Sequence, residues 1–437
     1  MVVTIVVLLI LAGVSISLIV DNNGIIKRSK DARNRYGEAK DNEQAQMGDI
    51  SDWIDEQATG KVSEKVKNFK TAKKENTTIN GEEGNSNNPT IPAGYVPINT
   101  TTSNWGDGRT APSQDSVDHG LVIRDDNKNE WVWVPVPDVT VMCDTSNETE
   151  YTLTGTSGET AVKTKLYSKS GIISGKTRTT PGTTTDPYYR EPDLVVENPS
   201  GNEAYDAKEE YYKTILGFAS KEKMAEAFVA DYKKMIESIK TYGGFYIGRY
   251  ELSEAGVQKD KATLTNTNWY NLYKQCTELQ ASDKVKTQMI WGCQWDVACN
   301  FIANKGDKKD ITDSRSWGNY RNSTGDAKVV VTENGTETNK YGTKQNTGYS
   351  EYWKANNIYD LAGNCWEWTQ EAGGTYYRAF RGGNYVDFGA SNPASNRSNG
   401  GAPGDDDLSF VRFSSHFNNK VILDTRAWVP VWRIIIK

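Results

Sequence analysis

The sequence predicts an α+β fold, and three observations lead there. Strand-like aromatic and β-branched runs alternate irregularly with helix-period segments, which fits neither an all-α bundle nor a regular βα repeat. Thirteen Trp and 23 Tyr stand beside 38 Gly, a mixture suited to turn-rich structure with aromatic anchors. At 437 residues the chain can build a sizeable core and two or three domains. Its net charge of −6 and pI near 5.4 lack the basic face of a nucleic-acid binder, so no nucleic-acid partner is expected.

The elements follow in order. Val2 to Val20, "VVTIVVLLILAGVSISLIV", carries no charge. At about 1.5 Å per residue it matches roughly the apolar thickness of a bilayer. It is apolar on every face and lacks the basic start and small-residue cleavage site of a secretory signal. Residues 1–20 are therefore expected to insert in a membrane. Residues 21–75 mix charges of both signs with sparse apolar positions such as Trp53, Ile54 and Phe69, the pattern of a solvated helical stalk. Residues 76–90 lie in an Asn- and Gly-rich linker, "KKENTTINGEEGNSNNPTIPAG", closed by two prolines. A domain boundary near Pro89 follows, with a globular domain over residues 91–437.

Within that domain "NEWVWVPV" (Asn129 to Val136) reads as a buried strand. Residues 144–202 are rich in Thr, Ser and Gly and read as an insertion rather than core. "KEKMAEAFVADYKKMIESIK" places Met224, Phe228, Tyr232, Met235 and Ile239 on one helical face. "YGGFYIGRYELSE" reads as a strand after a glycine turn, and "WYNLYKQCTEL" and "QWDVACNFIAN" as two short helices. The five cysteines (Cys143, Cys276, Cys293, Cys299, Cys365) include no CxxC, and "CQWDVAC" lacks zinc spacing. No structural zinc is expected; one disulfide remains open, with no pairing assigned.

"IYDLAGNCWEWTQE" (Ile358 to Glu371), followed by "RAFRGGNY" from Arg378, is the most specific signal in the chain. It resembles the formylglycine-generating-enzyme-like (sulfatase-modifying factor) domain, a variant of the C-type lectin fold. The matching elements are Tyr359 to Trp368, then Arg381-Gly382-Gly383-Asn384, then Ser395-Asn396-Arg397. "IPAGYV" at Ile91 and "GGFYIGRYELSE" at Gly243 fit the start of that domain and its next strand, so the resemblance spans about Ile91 to Phe413. It implies structural roles for Trp366, Trp368, Arg381, Gly382, Gly383 and Arg397, the tryptophans as core aromatics. It also implies a calcium site, with Asp360 and Glu367 ligating through side chains and Gly363 and Cys365 through carbonyl oxygens. Such an oxygen set suits a hard cation that takes six to eight ligands. The alternative is that Glu367 bonds Arg381 or backbone amides and no metal is present.

The family's enzyme converts a substrate cysteine to formylglycine with two copper-holding cysteines placed shortly after the Arg-Gly-Gly turn. Asp387 and Asn392 stand at the matching positions here, and neither offers the soft sulfur that Cu(I) requires. Relatives with non-haem iron use three histidines, whereas this chain has His119 and His416 alone. No catalytic residues, copper or iron are therefore expected. A formylglycine-generating-type oxidase, or a degenerate non-catalytic relative of it, is the alternative function.

The same domain occurs in the variable proteins of diversity-generating retroelements, and "RGGNYVDFGASNPASNRSNGGAPGDDDLSF" resembles their hypervariable face. In that group mutation acts on adenines, so positions with Asn-type codons drift among small polar and aromatic residues. The resemblance implies ligand contacts from Asn384, Tyr385, Asp387, Phe388, Ser391, Asn392, Asn396, Asn399, Asp405, Asp406 and Asp407. Such faces pair adaptable polar residues with aromatic anchors. The plainer alternative is a glycine-rich loop that merely closes the domain. A surface-displayed, adhesin-like binder of a protein or cell-surface ligand is the expected function.

Residues 1–20 with "DNNGIIKRSKDARNRYGEAKDNEQAQM" resemble the N-terminal helix of type IV pilin-like proteins, which implies membrane anchoring and pilus-type assembly. A minor pilin carrying an adhesin domain is thus a third reading. The chain begins at Met1 without that family's basic leader or its Glu at the fifth mature position. Lys27, Arg28, Lys30, Arg33 and Arg35 follow the apolar run, where the positive-inside rule would hold them in the cytoplasm. The pilin-like reading places the C-terminal region outside the cell, anchored at its surface. At the far end "SFVRF" (Ser409 to Phe413) stands near the family's closing position. "WRIIIK" (Trp432 to Lys437) reads as the closing strand, which makes Phe410 to Thr425 an added loop.

Overall fold

Alternation inside "EWVWVP" builds the central strand of the domain. Trp131 and Trp133 enter one apolar cluster with Leu121, Phe228 and Trp269; Val132 and Val134 enter another with Met235, Ile239 and Trp295. Successive side chains of a strand point to opposite faces. Here both faces are covered, so the run is apolar at nearly every position. The computed structural model describes residues 72–78, 83–98, 117–169, 189–197, 205–279, 285–333, 336–402, 417–418 and 421–424. Residues 1–71, Asp405 to Asp407 and "WRIIIK" lie outside the described residues. Among the described residues no helix is long and apolar enough to cross a membrane.

The first strands are Val96–Pro97 (β1), Val122–Arg124 (β2), Glu130–Pro135 (β3), Cys143–Thr152 (β4), Lys163–Lys169 (β5) and Tyr189–Arg190 (β6). Next come Gly244–Gly248 (β7), Lys286–Met289 (β8), Val330–Glu333 (β9), Thr336–Asn339 (β10), Lys354–Ala355 (β11) and Ile358–Tyr359 (β12). Trp366–Gly373 (β13), Tyr377–Arg381 (β14), Arg397–Gly400 (β15), Phe417–Asn418 (β16) and Val421–Asp424 (β17) follow. The helices are Lys221–Tyr242 (α1), Trp269–Glu278 (α2) and Gly292–Asn304 (α3). The class is α+β, as expected.

One antiparallel sheet runs β1-β2-β3-β7-β17-β8. A second runs β15-β14-β13-β16, with β6 paired to the far end of β13. Each long helix is bounded by its own sequence. Ser220 Oγ caps α1 by accepting the Lys223 N–H at 3.3 Å, and Gly243, at φ +74°, ends it in the left-handed conformation glycine favours. Met224, Phe228, Tyr232, Met235 and Ile239 are all buried on its inner face. Asn268 caps α2 in the same way, accepting the Asn271 N–H at 2.9 Å.

Three boundaries differ from the sequence reading. The stretch taken as linker is built into the domain, because buried ring donors need acceptors there. Trp133 Nε1 donates to the Ser86 carbonyl at 3.0 Å and the Tyr246 hydroxyl to the Thr90 carbonyl at 3.2 Å. Likewise, residues 144–202 are not wholly an excursion. Tyr189–Arg190 pairs with the far end of β13, and the residues that follow bury Glu191, Asp193, Leu194 and Val195. Their polarity misled because it is satisfied inside: Asp193 accepts from the Tyr151 hydroxyl, the Thr154 N–H and hydroxyl, and the Leu194 N–H. Finally, Phe410 to Thr425 is not simply an added loop. Val421–Asp424 inserts between β7 and β8, pairing antiparallel with both.

Candidate functional site

The signature after β12 is wound tight by left-handed residues: Asp360 at φ +55°, Gly363 at +79° and Asn364 at +56°. At Gly363 a Cβ would stand 2.1 Å from the Asn319 carbonyl oxygen, so only glycine fits. Glu251, fully buried, organises this turn. It accepts the Asn364 side-chain amide at 2.6 Å, the Cys365 N–H at 3.2 Å and the Thr263 hydroxyl at 2.9 Å. Asn364 Oδ1 in turn accepts Asn319 Nδ2 and the Gln345 N–H, at 3.1 and 3.0 Å. Sequence reading missed Glu251, one of two glutamates in "YELSE" with no local mark of its role.

Asp360 and Glu367 are both 1% exposed, and Asp360 Oδ2 accepts the Gly348 N–H at 2.8 Å. Among the described residues no three His, Cys, Asp or Glu side chains form a metal-holding group. A cation here would rest on two carboxylates plus the Gly363 and Cys365 carbonyl oxygens. The donor chemistry suits calcium in kind, since every member is a hard oxygen. Across the strand pair from Glu367, Arg381 donates to Asp296 and to the carbonyls of Asn396 and Ser395. Burial pushes the Cys365 thiol well above its ordinary range, and the charges of Glu251, Glu367 and Asp360 add to the shift while Lys344 opposes it. Cys299 is pushed up to about 12, mainly by burial. Cys276, Cys293, Cys299 and Cys365 are buried thiols outside any disulfide.

Arg381 closes the next part of the site. It donates to Asp296 at 2.6 Å and to the carbonyls of Asn396 and Ser395 at 2.9 and 3.3 Å. Arg397 reaches the other oxygen of Asp296 at 2.7 Å and pairs with Glu371 at 3.2 Å. These buried charges tie β14 and β15 to α3 on either side of the segment between them. Gly382 takes φ +72°, and a Cβ on Gly383 would meet the Asn392 carbonyl oxygen at 2.4 Å and the Tyr320 ring at 2.7 Å. Trp366 and Trp368 are buried and meet Phe380 edge-on, at centroid distances of 4.8 and 5.4 Å.

The segment after the glycines is held by reciprocal Asn and Asp turns. Asn384 Oδ1 accepts the Val386 N–H at 2.8 Å, and Asp387 Oδ2 accepts the Asn384 N–H at 3.0 Å. The N–H groups of Ser391 and Asn392 both reach the Phe388 carbonyl at 2.9 Å. Asn396 Nδ2 donates to Asn392 Oδ1 at 3.2 Å, and Trp295 Nε1 to the Ala394 carbonyl at 2.9 Å.

The expected ligand-contacting residues therefore divide. Asn384, Asn392 and Asn396 are buried, at 3%, 8% and 0% exposure, and hold the segment together. Tyr385 and Asp387 are half-buried, and Phe388 and Ser391 are exposed. Asn399 is half-buried on β15, in register with Ala379 of β14. Two exposed members were missed. Val386, 45% exposed, is not of the Asn-derived types. Arg321 comes from a separate loop and lies with its guanidinium carbon 4.7 Å from the Phe388 ring centroid.

No family model matches the chain, and no curated protein matches it. Among solved structures it is similar to Treponema denticola variable protein 1, at 12% identity and a TM-score of 0.28, over 42% of this chain and 85% of that one.

Proposed function

We propose that this chain is a ligand-binding protein displayed at the cell surface, with the Tyr385 to Ser391 turn as its binding face. One observation carries the reading. The segment is fastened at both ends by buried charges and asparagine turns, while its middle holds Val386 and Phe388 outward at 45% and 48% exposure. Burying a Phe or Val side chain is worth about 1.5–3 kcal/mol. A loop that merely closed the domain would be expected to turn these side chains in, whereas a preformed face keeps that energy for a partner. Aromatic anchors on rigid supports are the usual centres of protein interfaces. Diversification of the exposed positions, anchoring through residues 1–20 and a pilus-type assembly belong to the same proposal. So does a calcium ion on Asp360, Glu367 and the carbonyls of Gly363 and Cys365, stiffening the turn beneath the face.

The test is selection from a displayed random-peptide library against the full chain held in detergent. Enriched peptides should bind wild type at least ten-fold more tightly than a Val386→Ser/Phe388→Ala variant. No enrichment, or peptides indifferent to that variant, would contradict the proposal.

A further inference from the structure

We infer that the face recognises a carboxylate on a protein ligand, an Asp or Glu side chain set beside an apolar one, through Arg321. The inference rests on the binding face proposed above and names its partner's chemistry. The starting point is a comparison among arginines. Arg124, Arg249, Arg315, Arg378, Arg381 and Arg397 each pair with a carboxylate, at distances from 2.5 to 2.8 Å. These are all the other arginines whose side chains are described. Among the described residues Arg321 makes no such pair, and it is exposed.

Arg321 is nonetheless held. Its guanidinium carbon sits 4.7 Å from the centroid of the exposed Phe388 ring, within cation–π reach. Its N–H donates to the Asp387 carbonyl at 3.2 Å, tying its loop to the face. Behind it Tyr320 is fully buried, close to Gly383 and Gly389, and its N–H reaches Ser323 Oγ at 2.9 Å. The nearest acid in the turn, Asp387, is half-buried and accepts the Asn384 N–H, so it serves the turn itself.

A planar guanidinium laid on an aromatic ring keeps its edge donors open, and a carboxylate takes two of them in parallel. The ring excludes water from one side of that bond, which strengthens it. Val386 and Phe388 beside it provide apolar area for a neighbouring side chain, which favours a protein ligand over a purely polar one. Arg321 also lies outside the segment expected to vary, so the charge stays constant while the face around it changes.

The peptide selection tests this with four proteins: wild type, Arg321→Met, Arg321→Lys and Phe388→Ala. Arg321 and Phe388 are exposed, and thermal melts confirm that each variant folds. Peptides selected on wild type should be enriched in Asp or Glu next to an apolar residue. Arg321→Met should weaken the best of them at least ten-fold, and Arg321→Lys less, since an ammonium lacks the paired donors. Replacing the peptide's acid by its amide should cost the same factor on wild type and nothing further on Arg321→Met. Peptides weakened by Phe388→Ala but unchanged by Arg321→Met would overturn the role of Arg321 and leave the binding face standing. Peptides that ignore both substitutions, or no enrichment at all, would overturn both.

Discussion

Replacing Arg381 by methionine separates scaffold from face most sharply. The guanidinium is 1% exposed and donates to Asp296, Asn396 and Ser395. Hydrogen bonds from a charged donor contribute about 1.5–3 kcal/mol each, and a buried carbonyl left without its donor costs about 1–3 kcal/mol. Asp296 keeps Arg397 at 2.7 Å, so it is not stranded. Methionine also retains the apolar stem beside Trp295. The loss should therefore come mainly from the two carbonyls left without a donor, about 2–6 kcal/mol together. Phe388→Ser, on the face, should cost at most about 0.5 kcal/mol, as exposed substitutions do. Urea unfolding followed by tryptophan fluorescence measures both. An Arg381→Met cost below about 1 kcal/mol, or an equal cost for Phe388→Ser, would refute the division between a rigid frame and a tolerant face.

Other predictions follow from single contacts. Gly383→Ala pushes a methyl group into the Asn392 carbonyl and the Tyr320 ring, and should cost about 1–3 kcal/mol by overpacking in the same urea assay. Burial works against ionisation of Glu351, but bonds from Lys354, Tyr359 and Lys259 outweigh it and hold the carboxyl down at about 2. Its contribution is complete above its unfolded pKa of about 4.3 and is lost as pH falls through about 2. Glu351→Gln should therefore flatten the fall of the urea midpoint across that window, modestly because the group is largely exposed. If calcium sits at the signature turn, EDTA should lower the melting temperature and calcium should restore it, with Asp360→Asn/Glu367→Gln abolishing the response. Equal melting with and without calcium would remove the ion from the account. Ellman's reagent should leave Cys276, Cys293, Cys299 and Cys365 unreacted in the native chain; rapid labelling of Cys365 would show a reactive thiol at the signature.

Much of the frame was legible because it is local. The inward face of α1 repeats at helical spacing from Met224 to Ile239, and "EWVWVP" alternates two buried sets of side chains. The turn at Gly382-Gly383 could be read from its glycines, although the contact that demands Gly383 comes from Tyr320, which no local pattern announces. Long-range partners were not legible. Glu251 meets Asn364 across 113 positions, and Arg321 meets Phe388 from another loop. Composition also cannot separate an asparagine bound within a turn from one offered to a ligand, because both are short and polar. That is why Asn384, Asn392 and Asn396 were grouped with Tyr385 and Phe388. Polar stretches such as residues 83–90 and 189–197 looked peripheral for a related reason: their hydrogen-bond partners are indoles, phenols and amides placed elsewhere in the chain.

The most direct measurement is on the DNA. Sequencing the region encoding Arg381 to Lys437 and its flanks should reveal a near-identical template copy beside a reverse transcriptase gene. The two copies should differ mainly at adenines, and the differences should fall in the codons for the exposed Phe388 and Ser391 and the half-buried Tyr385 and Asp387. No template, or differences spread equally over the buried Gly382, Gly383 and Asn384, would contradict a diversified binding face.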